Sequence, residues 1–387
     1  MPEDAPRPAQ AAIRTALGAI FVSPELSRKA WLITSLSPGA GEKMSKHAVA
    51  AADVSGLLQR FAELKRKAAA RTGQDFRVIV IQEAGLDGFW VHRVLEAEGV
   101  ESHVVDAASI LTSRRRRRAK TDKIDGETLL RTLMAYLRGE PRVCSMARPP
   151  TPQEEDRRRL CRERRTLMAE RGRHINRIKG LLFAQGVFGY EPLLKRRRER
   201  LEDLQTGDGR PLPARLKAQI LRELDRLEVL LAQLKALQAE RDALLGSARA
   251  DAASPVASLA RLKGVGPEFA TILWSEGLYR HFDNRRQLAA YAGLAPTPWK
   301  SGQVDHEQGV SKAGNPRLRT AMVELAWMWL QHQPTSALTL WFQARDQALG
   351  GHKRKTTIVA LARKLLVALW RYASAGVVIE GAAIRAA

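Results

Sequence analysis

The sequence predicts an N-terminal mixed α/β domain, a long helical segment and a mostly α-helical C-terminal domain. Short runs rich in β-branched and aromatic residues come first. Leucines then recur at three- and four-residue spacing with charges between them, and glycine-rich turns separate amphipathic stretches near the C-terminus. These changes of pattern predict a leader over residues 1–16, domains over 17–145, 150–250 and 255–375, and a tail over 376–387.

The N-terminal domain begins with two predicted strands, "GAIFVS" and "AWLITSL", which the polar "PELSRK" separates. A third strand is predicted at "SKHAVAA", before a helix whose N-cap is Asp53 or Ser55. The continuous apolar run "FRVIVIQ" is typical of a buried strand, and it precedes a helix ending at Gly99 and the strand "ESHVVDA". Three strands followed by alternating helix and strand favour a mixed sheet.

Long helices are predicted from Thr151 to about Ser247, with an interruption at "TGDGRPLP". The leucine spacing in the second of them indicates an antiparallel helical hairpin or a coiled coil, serving either as a solvated spacer or as a dimerisation arm. In the C-terminal region, the main amphipathic helix is predicted to begin with Asn315 as N-cap and Pro316 in the first helical position. Another amphipathic helix is predicted after Thr356.

The composition is strongly basic, with 64 lysines and arginines against 41 acidic residues and a net charge of +23. Such an excess predicts a polyanionic partner, either nucleic acid or an acidic membrane surface. No apolar run approaches the roughly 20 residues of a membrane span, and the N-terminus lacks the layout of a signal peptide, so we expect a cytoplasmic protein. Cys144 and Cys161 have no ligand-like spacing, so neither a disulfide framework nor a zinc site is expected.

Four carboxylates suggest metal-assisted phosphoryl chemistry. Glu83 follows a predicted buried strand, and open α/β sheets usually keep their sites at the carboxyl ends of strands. Asp122 and Asp125 are three residues apart at a predicted helix start, so both can point from one face. Glu25 lies between or at the end of the first two strands. Converging carboxylates can hold Mg²⁺ or Mn²⁺, which accept oxygen ligands without His or Cys.

Each carboxylate also has an ordinary structural interpretation. Thr121 or Asp122 can cap a helix, because acidic residues favour the first helical turn. Glu83 can be a charge at a strand end, and Glu25 a turn residue facing water. Their order along an α/β pattern, beside a run of arginines, is what favours a site.

Clusters of basic residues predict contacts with phosphates rather than with bases, and therefore binding that weakens steeply with salt. The glycines of "GVGP" can let backbone N–H groups approach a phosphate, although an ordinary interhelical turn has the same spacing. The run Lys195–Arg198 is a further candidate. The main predicted nucleic-acid contacts are Arg114, Arg115, Arg116, Arg117, Arg118, Lys120, Gly264, Gly266, Lys312, Arg317 and Arg319.

The motifs "QEAG", "AKTDKIDGETLL", "LKGVGPEFATIL", "LAAYAGLAP", "KSGQ" and "VSKAGNPRLR" occur in an order that resembles the DEDD-type transposases of insertion sequences. This is the Piv/MooV-like group, the insertion-sequence family numbered one hundred and ten, and the resemblance covers nearly the whole chain. It implies a RuvC-like domain of ribonuclease H-like fold, then a coiled-coil segment, then a C-terminal transposase domain with a helix-hairpin-helix-like turn.

The resemblance implies a recombinase that excises and inserts its element. The implied partners are double-stranded DNA at the element ends and the target, a guiding bridge RNA, and further copies of the chain in a dimer or tetramer. Two alternatives stay open. One is a junction-resolving nuclease that hydrolyses DNA without a covalent protein–DNA link, and the other is a catalytically impaired nucleic-acid-binding protein.

The resemblance also implies roles for particular residues. Glu83, Asp122 and Asp125 match the last three acidic positions of the DEDD tetrad, while Glu25 stands where the family usually has aspartate, so the site is either adapted or impaired. The family's nucleophilic serine matches Ser301 in "KSGQ", with Ser311 in "VSKAGN" as the second choice. On the sequence alone, Ser301 can belong to a Ser-Gly turn and Ser311 to a turn before the next helix.

Overall fold

A computed structural model describes residues 17–41, 43–85, 88–110, 122–141, 143–249, 254–301 and 304–385. The chain divides into two compact units, Met1–Pro149 and Pro150–Ala387.

The N-terminal unit contains a five-stranded sheet formed by β1 (Ile20–Glu25), β2 (Ala30–Leu36), β3 (Ser45–Ala50), β4 (Val78–Glu83) and β5 (Glu101–Val105). The strand order is β3-β2-β1-β4-β5. The first three strands pair antiparallel, whereas β1 with β4 and β4 with β5 pair parallel. The mixed α/β prediction is therefore confirmed for the described part of this unit.

Three helices cover this sheet: α1 (Val54–Thr72), α2 (Trp90–Ala97) and α3 (Asp122–Leu137). Side chains alternate between the two faces along each strand. Val22 and Val80 pack in a core that contains residues of α1 and α2, whereas Phe21, Ile79 and Ile81 pack with buried leucines of α3. Burial on both faces explains why the sequence of β4 is continuously apolar.

A single residue determines where α1 begins, and another determines where α2 ends. Asp53 caps α1 by accepting a hydrogen bond from the Gly56 N–H at 2.8 Å, which confirms one of the two predicted caps. Gly99 follows α2 with a φ of +70°, a left-handed conformation that favours glycine and ends the helix.

The C-terminal unit begins with two long helices, α4 (Pro152–Phe183) and α6 (Ala214–Arg249), with the short α5 (Arg197–Glu202) between them. They run antiparallel, because Leu167 of α4 packs with Leu230 and Leu234 of α6 while the later His174 contacts the earlier Glu223. The long helices are confirmed, whereas supercoiling and a dimerisation role stay predictions.

The remainder of this unit packs around Met322, Leu325, Trp329, Leu361 and Leu365, all fully buried. Asn315 caps α10 by accepting hydrogen bonds from the N–H groups of Arg317 and Leu318, as predicted. The elements are α7 (Pro255–Arg261), α8 (Pro267–Leu273), a π-helical turn (Trp274–Leu278), α9 (Arg285–Tyr291), β6 (Pro296–Ser301), β7 (Val304–Val310), α10 (Pro316–His332), α11 (Ala337–Ala348) and α12 (Arg354–Ala375).

Two features of this unit differ from the sequence expectation. The antiparallel pair β6–β7 stands where only helices and glycine-rich turns were expected, because Pro296 and Pro298 disfavour a helix there. The segment expected as a tail is packed: Ile379 is buried, and the Arg385 N–H donates to the Arg261 carbonyl at 2.7 Å. In the described parts of the chain, no helix combines the length and apolarity needed to cross a membrane.

The α3 backbone passes close to Thr34 of β2 at Gly126, and substitution there should destabilise the N-terminal unit. A Cβ on Gly126 would lie 2.5 Å from Thr34 Oγ1, closer than side chains tolerate. Alanine normally stabilises a helix by about 1 kcal/mol relative to glycine, but here we expect Gly126→Ala to cost about 1–3 kcal/mol through overpacking.

Thermal unfolding of the full chain measures this cost. The matched control is Gly180→Ala in α4, where nothing lies within 4 Å of the added methyl group, so the expected change is neutral or stabilising. Thr34→Ala should restore part of the loss in the double variant, since the buried Thr34 Oγ1 has no hydrogen-bond partner among the described residues. Equal effects at Gly126 and Gly180 would contradict the close approach.

Candidate functional site

Two of the predicted acidic residues end neighbouring parallel strands. Glu25 is the last residue of β1 and Glu83 is the last residue of β4. Val22 pairs with Val80, so the same register three residues further on sets Glu25 opposite Glu83. By strand alternation both glutamates lie on the sheet face of Phe21 and Ile81, the face that α3 covers. Glu25 is half-buried and Glu83 is exposed.

The other two predicted acidic residues lie in the first turn of α3. Asp125 is half-buried and precedes Gly126, and the buried Leu129 and Leu133 follow at helical spacing. Asp122 is the first residue of the helix and occupies the same face by its three-residue spacing, although its side chain lies outside the described residues. An ion pair of 2.7 Å between Lys46 Nζ of β3 and Glu127 Oε1 also ties α3 to the sheet.

Glu25 and Glu83 thus end β1 and β4 on the sheet face that α3 covers, and Asp125 lies in the first turn of that helix. Among the side chains that are described, no three His, Cys, Asp or Glu residues are grouped closely enough to hold a metal ion. The donor chemistry, carboxylate oxygen only, suits Mg²⁺ or Mn²⁺. The four-residue ligand set that includes Asp122 stays a prediction.

The predicted contacts Arg114–Arg118 and Lys120 lie outside the described residues.

In the C-terminal unit, the segment 311–315 is held tightly against the end of α9. The Ser311 N–H donates to the Ala295 carbonyl at 2.7 Å, and the Asn315 N–H donates to the Tyr291 carbonyl at 2.6 Å. Gly314 has a φ of +123°, and a Cβ there would lie 2.6 Å from the Tyr291 carbonyl oxygen. Only glycine fits this position.

A buried carboxylate anchors the same segment. Glu276, in the π-helical turn, is only 2% exposed. It accepts hydrogen bonds from Arg162 Nε at 2.8 Å, Arg162 Nη2 at 3.2 Å and Asn315 Nδ2 at 3.0 Å. The Tyr291 hydroxyl donates to the Glu276 carbonyl at 2.9 Å. Glu276 therefore joins α4, the end of α9 and the N-cap of α10.

The charge of Glu276 is stabilised by these partners. Burial alone would raise its pKa, but the hydrogen bonds from Arg162 and Asn315 outweigh burial and hold the pKa below its ordinary value. Glu276 was not identified from the sequence, because the residues around it have the pattern of an ordinary amphipathic helix. In addition, its partner Arg162 is 114 residues away along the chain. Helical π-turns are often found at functional sites.

The two candidate nucleophiles occupy different places on the β6–β7 hairpin. Ser301 is the last residue of β6 and pairs with Val304 across the turn, and its side chain lies outside the described residues. Ser311 follows β7 at the base of the hairpin and is half-buried. Ser301 is thus presented at the tip of the hairpin, and Ser311 beside its anchored base.

The "GVGP" turn is built largely by contacts within the protein. Gly264 has a φ of +84°, whereas Gly266 has an ordinary φ of −75° and caps α8. The Lys263 N–H donates to the Ala383 carbonyl at 3.1 Å, and Gln333 Nε2 donates to the Lys263 carbonyl at 2.8 Å. A phosphate-binding role for Gly264 and Gly266 stays a prediction.

The three cations near the start of α10 that were predicted to bind phosphate differ in exposure and in hydrogen bonding. Lys312 and Arg317 are exposed. Arg319 is half-buried, and its Nη1 donates to the Lys312 carbonyl at 2.8 Å, so it also braces the 311–315 segment. A phosphate-binding role for these three side chains stays a prediction.

Comparison with known proteins identifies the class. Residues 39–185 match the profile of the DEDD transposases of IS110, and residues 256–340 match that of the transposase IS116/IS110/IS902 family. "Putative transposase y4rJ" of Sinorhizobium fredii is 71% identical over 385 residues, covering 97% of each chain. The transposase for insertion sequence element IS1111A of Coxiella burnetii is 27% identical over 264 residues, covering 65% of this chain and 66% of that protein.

These matches define an insertion-sequence transposase, an enzyme that cleaves and rejoins DNA. The chain belongs to the IS110 family, which confirms the resemblance seen in the sequence motifs.

The Glu276 network leads to a prediction about stability. Glu276→Ala should destabilise the C-terminal unit by about 1–3 kcal/mol, since it leaves Arg162 and Asn315 without their carboxylate partner. The control is Glu199→Ala, which removes an exposed ion pair with Arg196 and should change stability little. Urea unfolding of both variants measures the difference, and similar costs would contradict the central role of Glu276.

The same network predicts a pH dependence. A carboxylate whose pKa is lowered in the folded state contributes stability above its ordinary pKa of 4.5, and that contribution is lost as the pH falls through the lowered value. Between pH 7 and pH 3, Glu276→Gln should therefore lose less stability than the unchanged protein. Parallel curves of unfolding free energy against pH would contradict this.

Proposed function

We propose that this transposase cuts and rejoins DNA with a divalent-metal site at Glu25, Glu83, Asp122 and Asp125 and a nucleophilic serine at Ser301. The observation that carries the proposal is that Glu25 and Glu83 end two adjacent parallel strands on the sheet face that α3 covers.

The N-terminal unit is proposed to have a ribonuclease H-like, RuvC-like fold. The strand order β3-β2-β1-β4-β5 supports this, together with the antiparallel pairing of the first three strands and the parallel pairing of the last two. In such a sheet, the carboxyl ends of β1 and β4 are the natural place for the site.

Within this site, the four carboxylates would hold Mg²⁺ or Mn²⁺. When bound, the metal supplies electrophilic polarisation of a DNA phosphate and stabilises the leaving oxygen. Glu83 and Asp125 bring oxygen donors from the strand end and from the helix start, and Glu25 faces the same side from β1. The side chain of Glu25 is one methylene longer than that of the aspartate usual in the family. Its carboxylate could therefore reach the metal position of an aspartate even if its backbone lay further from the metal.

Ser301 is the preferred nucleophile because the hairpin presents it away from the anchored 311–315 segment. Its hydroxyl oxygen would attack a phosphorus atom and form a transient phosphoserine link, while the DNA strand departs with its own oxygen. Ser311 stays the second choice. The "GVGP" turn would add helix-hairpin-helix-like backbone contacts to phosphate.

The proposed partners follow from charge and from the family. Double-stranded DNA at the element ends and at the target would be synapsed by a dimer or tetramer, and the protein would be associated with the nucleoid when bound to DNA. A bridge RNA would supply sequence recognition by base pairing, leaving the protein to recognise shape and charge. The net charge of +23 and the predicted contacts at Arg114–Arg118 and Lys312 support such partners.

A second candidate function is a catalytically impaired nucleic-acid-binding protein. The specific observation in its favour is Glu25 at the position where the family has aspartate.

Covalent trapping tests the nucleophile. With supercoiled plasmid carrying the element ends, a protein–DNA adduct that resists denaturation should form, disappear in Ser301→Ala and survive in Ser311→Ala. The two serines are matched in chemistry, so each variant controls for the other. Hydrolysis without an adduct would instead indicate a junction-resolving nuclease.

Metal-dependent cleavage of the same plasmid tests the carboxylates. Asp122→Ala and Glu83→Gln should each reduce the cleavage rate by at least about a hundredfold, because each removes a ligand from the proposed centre. Glu127→Gln is the control, since it changes a neighbouring acid that pairs with Lys46. Unchanged cleavage in Asp122→Ala, with a gain in Glu25→Asp, would refute the assigned site.

A further inference from the structure

A groove in the C-terminal unit lies between α9, the start of α11, α12 and the segment after α12. Its volume is about 860 Å³, toward the upper end of the roughly 300–1,000 Å³ usual for small-ligand pockets. We call its apolar lining residues, which include Ala289, Val367, Ala368 and Val378, the floor and its charged lining residues the rim. Val378 remains 55% exposed, so part of this apolar floor is open to solvent.

The rim of this groove is strongly basic. Five cations line it against one carboxylate, Glu380. Among the described residues, none of the four arginines of the rim forms an ion pair, while Lys364 lies over the Trp341 ring at 4.7 Å. The five cations are Arg285, Arg286, Arg363, Lys364 and Arg371.

This contrasts with many arginines of the helical hairpin, which form ion pairs within the chain. Arg198 pairs with Asp225 and Glu228, and Arg177 pairs with Glu223. Arg196 and Arg197 of the predicted phosphate-binding run are paired as well, with Glu199 and Glu228. The groove therefore concentrates cations whose mutual repulsion an incoming polyanion would relieve.

We propose that this groove binds a single strand of DNA, with phosphates on the rim arginines and sugar and base faces against the apolar floor. Arginine suits this role because its planar fork binds phosphate oxygens in pairs. A flexible single strand can follow a short, narrow groove, whereas a duplex is wider and stiff over about 150 base pairs. The described floor carries no aromatic ring for stacking, so binding has little base preference.

The position of the groove connects it to the proposed reaction. Ala295 and Pro296 also line it, and β6 runs from Pro296 to Ser301. A strand held in the groove thus lies at the base of the hairpin that carries the proposed nucleophile. The inference deepens the proposed function and rests on it for the choice of DNA over other polyanions.

Fluorescence anisotropy with a labelled oligothymidine tests the rim, using the full chain without divalent metal so that no cleavage occurs. Arg363→Ala/Arg371→Ala should weaken binding about tenfold or more at low salt. It should also reduce the slope of log affinity against log salt by roughly 1.4, since each phosphate contact with a single strand contributes about 0.7.

The matched control is Arg159→Ala/Arg210→Ala, which removes the same charge from exposed arginines that pair with Asp156 and Asp208. It should change affinity less than about twofold. An equal loss in the two double variants would overturn the proposal, because binding would then follow net charge alone.

The floor is tested by Val378→Glu, with Val229→Glu on α6 as its control. The two valines are 55% and 57% exposed, so both variants should fold, and both add one negative charge. Only Val378→Glu should weaken oligothymidine binding. Equal binding by both variants would overturn the groove as the site.

Three further probes decide the occupant. The Arg363→Ala/Arg371→Ala variant should lose more affinity for oligothymidine than for a duplex of equal length, for oligouridine or for poly-glutamate. A larger loss for duplex, for RNA or for the acidic polypeptide would assign the groove to that partner and overturn the proposal. Adduct formation at Ser301 is read separately in a denaturing gel, so failure of the nucleophile assignment leaves this comparison intact.

Discussion

The parallel pairing of β1 with β4 is the constraint on which the candidate active site depends. Each strand is mostly apolar along its buried length and ends on a glutamate. The shared register and the alternation of the strands turn Glu25 and Glu83 to the same side of the sheet. A slip of one residue in either strand would turn its glutamate to the opposite face, toward α1 and α2. The buried residues on both faces are what hold this register.

The position of α3 depends on the same sheet. Its buried face, which includes Leu129 and Leu133, continues backward through Gly126 to the half-buried Asp125. Glycine at 126 allows the helix backbone to approach Thr34 closely. In the C-terminal unit, Glu276 has a comparable role: one buried carboxylate joins the long helix α4 to the segment that supports the β6–β7 hairpin.

Much of the fold was predictable because its signals are local. The apolar runs of β1, β2 and β4, the cap at Asp53 and the Asn315–Pro316 helix start each depend on a few neighbouring residues. The hairpin at Pro296–Val310 was missed because its strands are short and polar and pair only with each other. Glu276 was missed because its burial depends on Arg162, which comes from a distant helix. Glu25 and Glu83 end adjacent strands, but the described carboxylates are not grouped closely enough to hold a metal ion, so the tetrad stays a prediction.

Iron-dependent cleavage of the polypeptide tests the central claim, that the ends of β1 and β4 and the start of α3 form one metal site. Fe²⁺ is bound in place of Mg²⁺, and ascorbate with peroxide generates hydroxyl radicals that cut the backbone near the ion. A metal site at these positions predicts fragments that end near Glu25, Glu83 and residues 122–125. Excess Mg²⁺ should suppress these fragments, and Glu83→Gln should abolish them. Cleavage confined to other parts of the chain, or fragments unaffected by Mg²⁺, would contradict it.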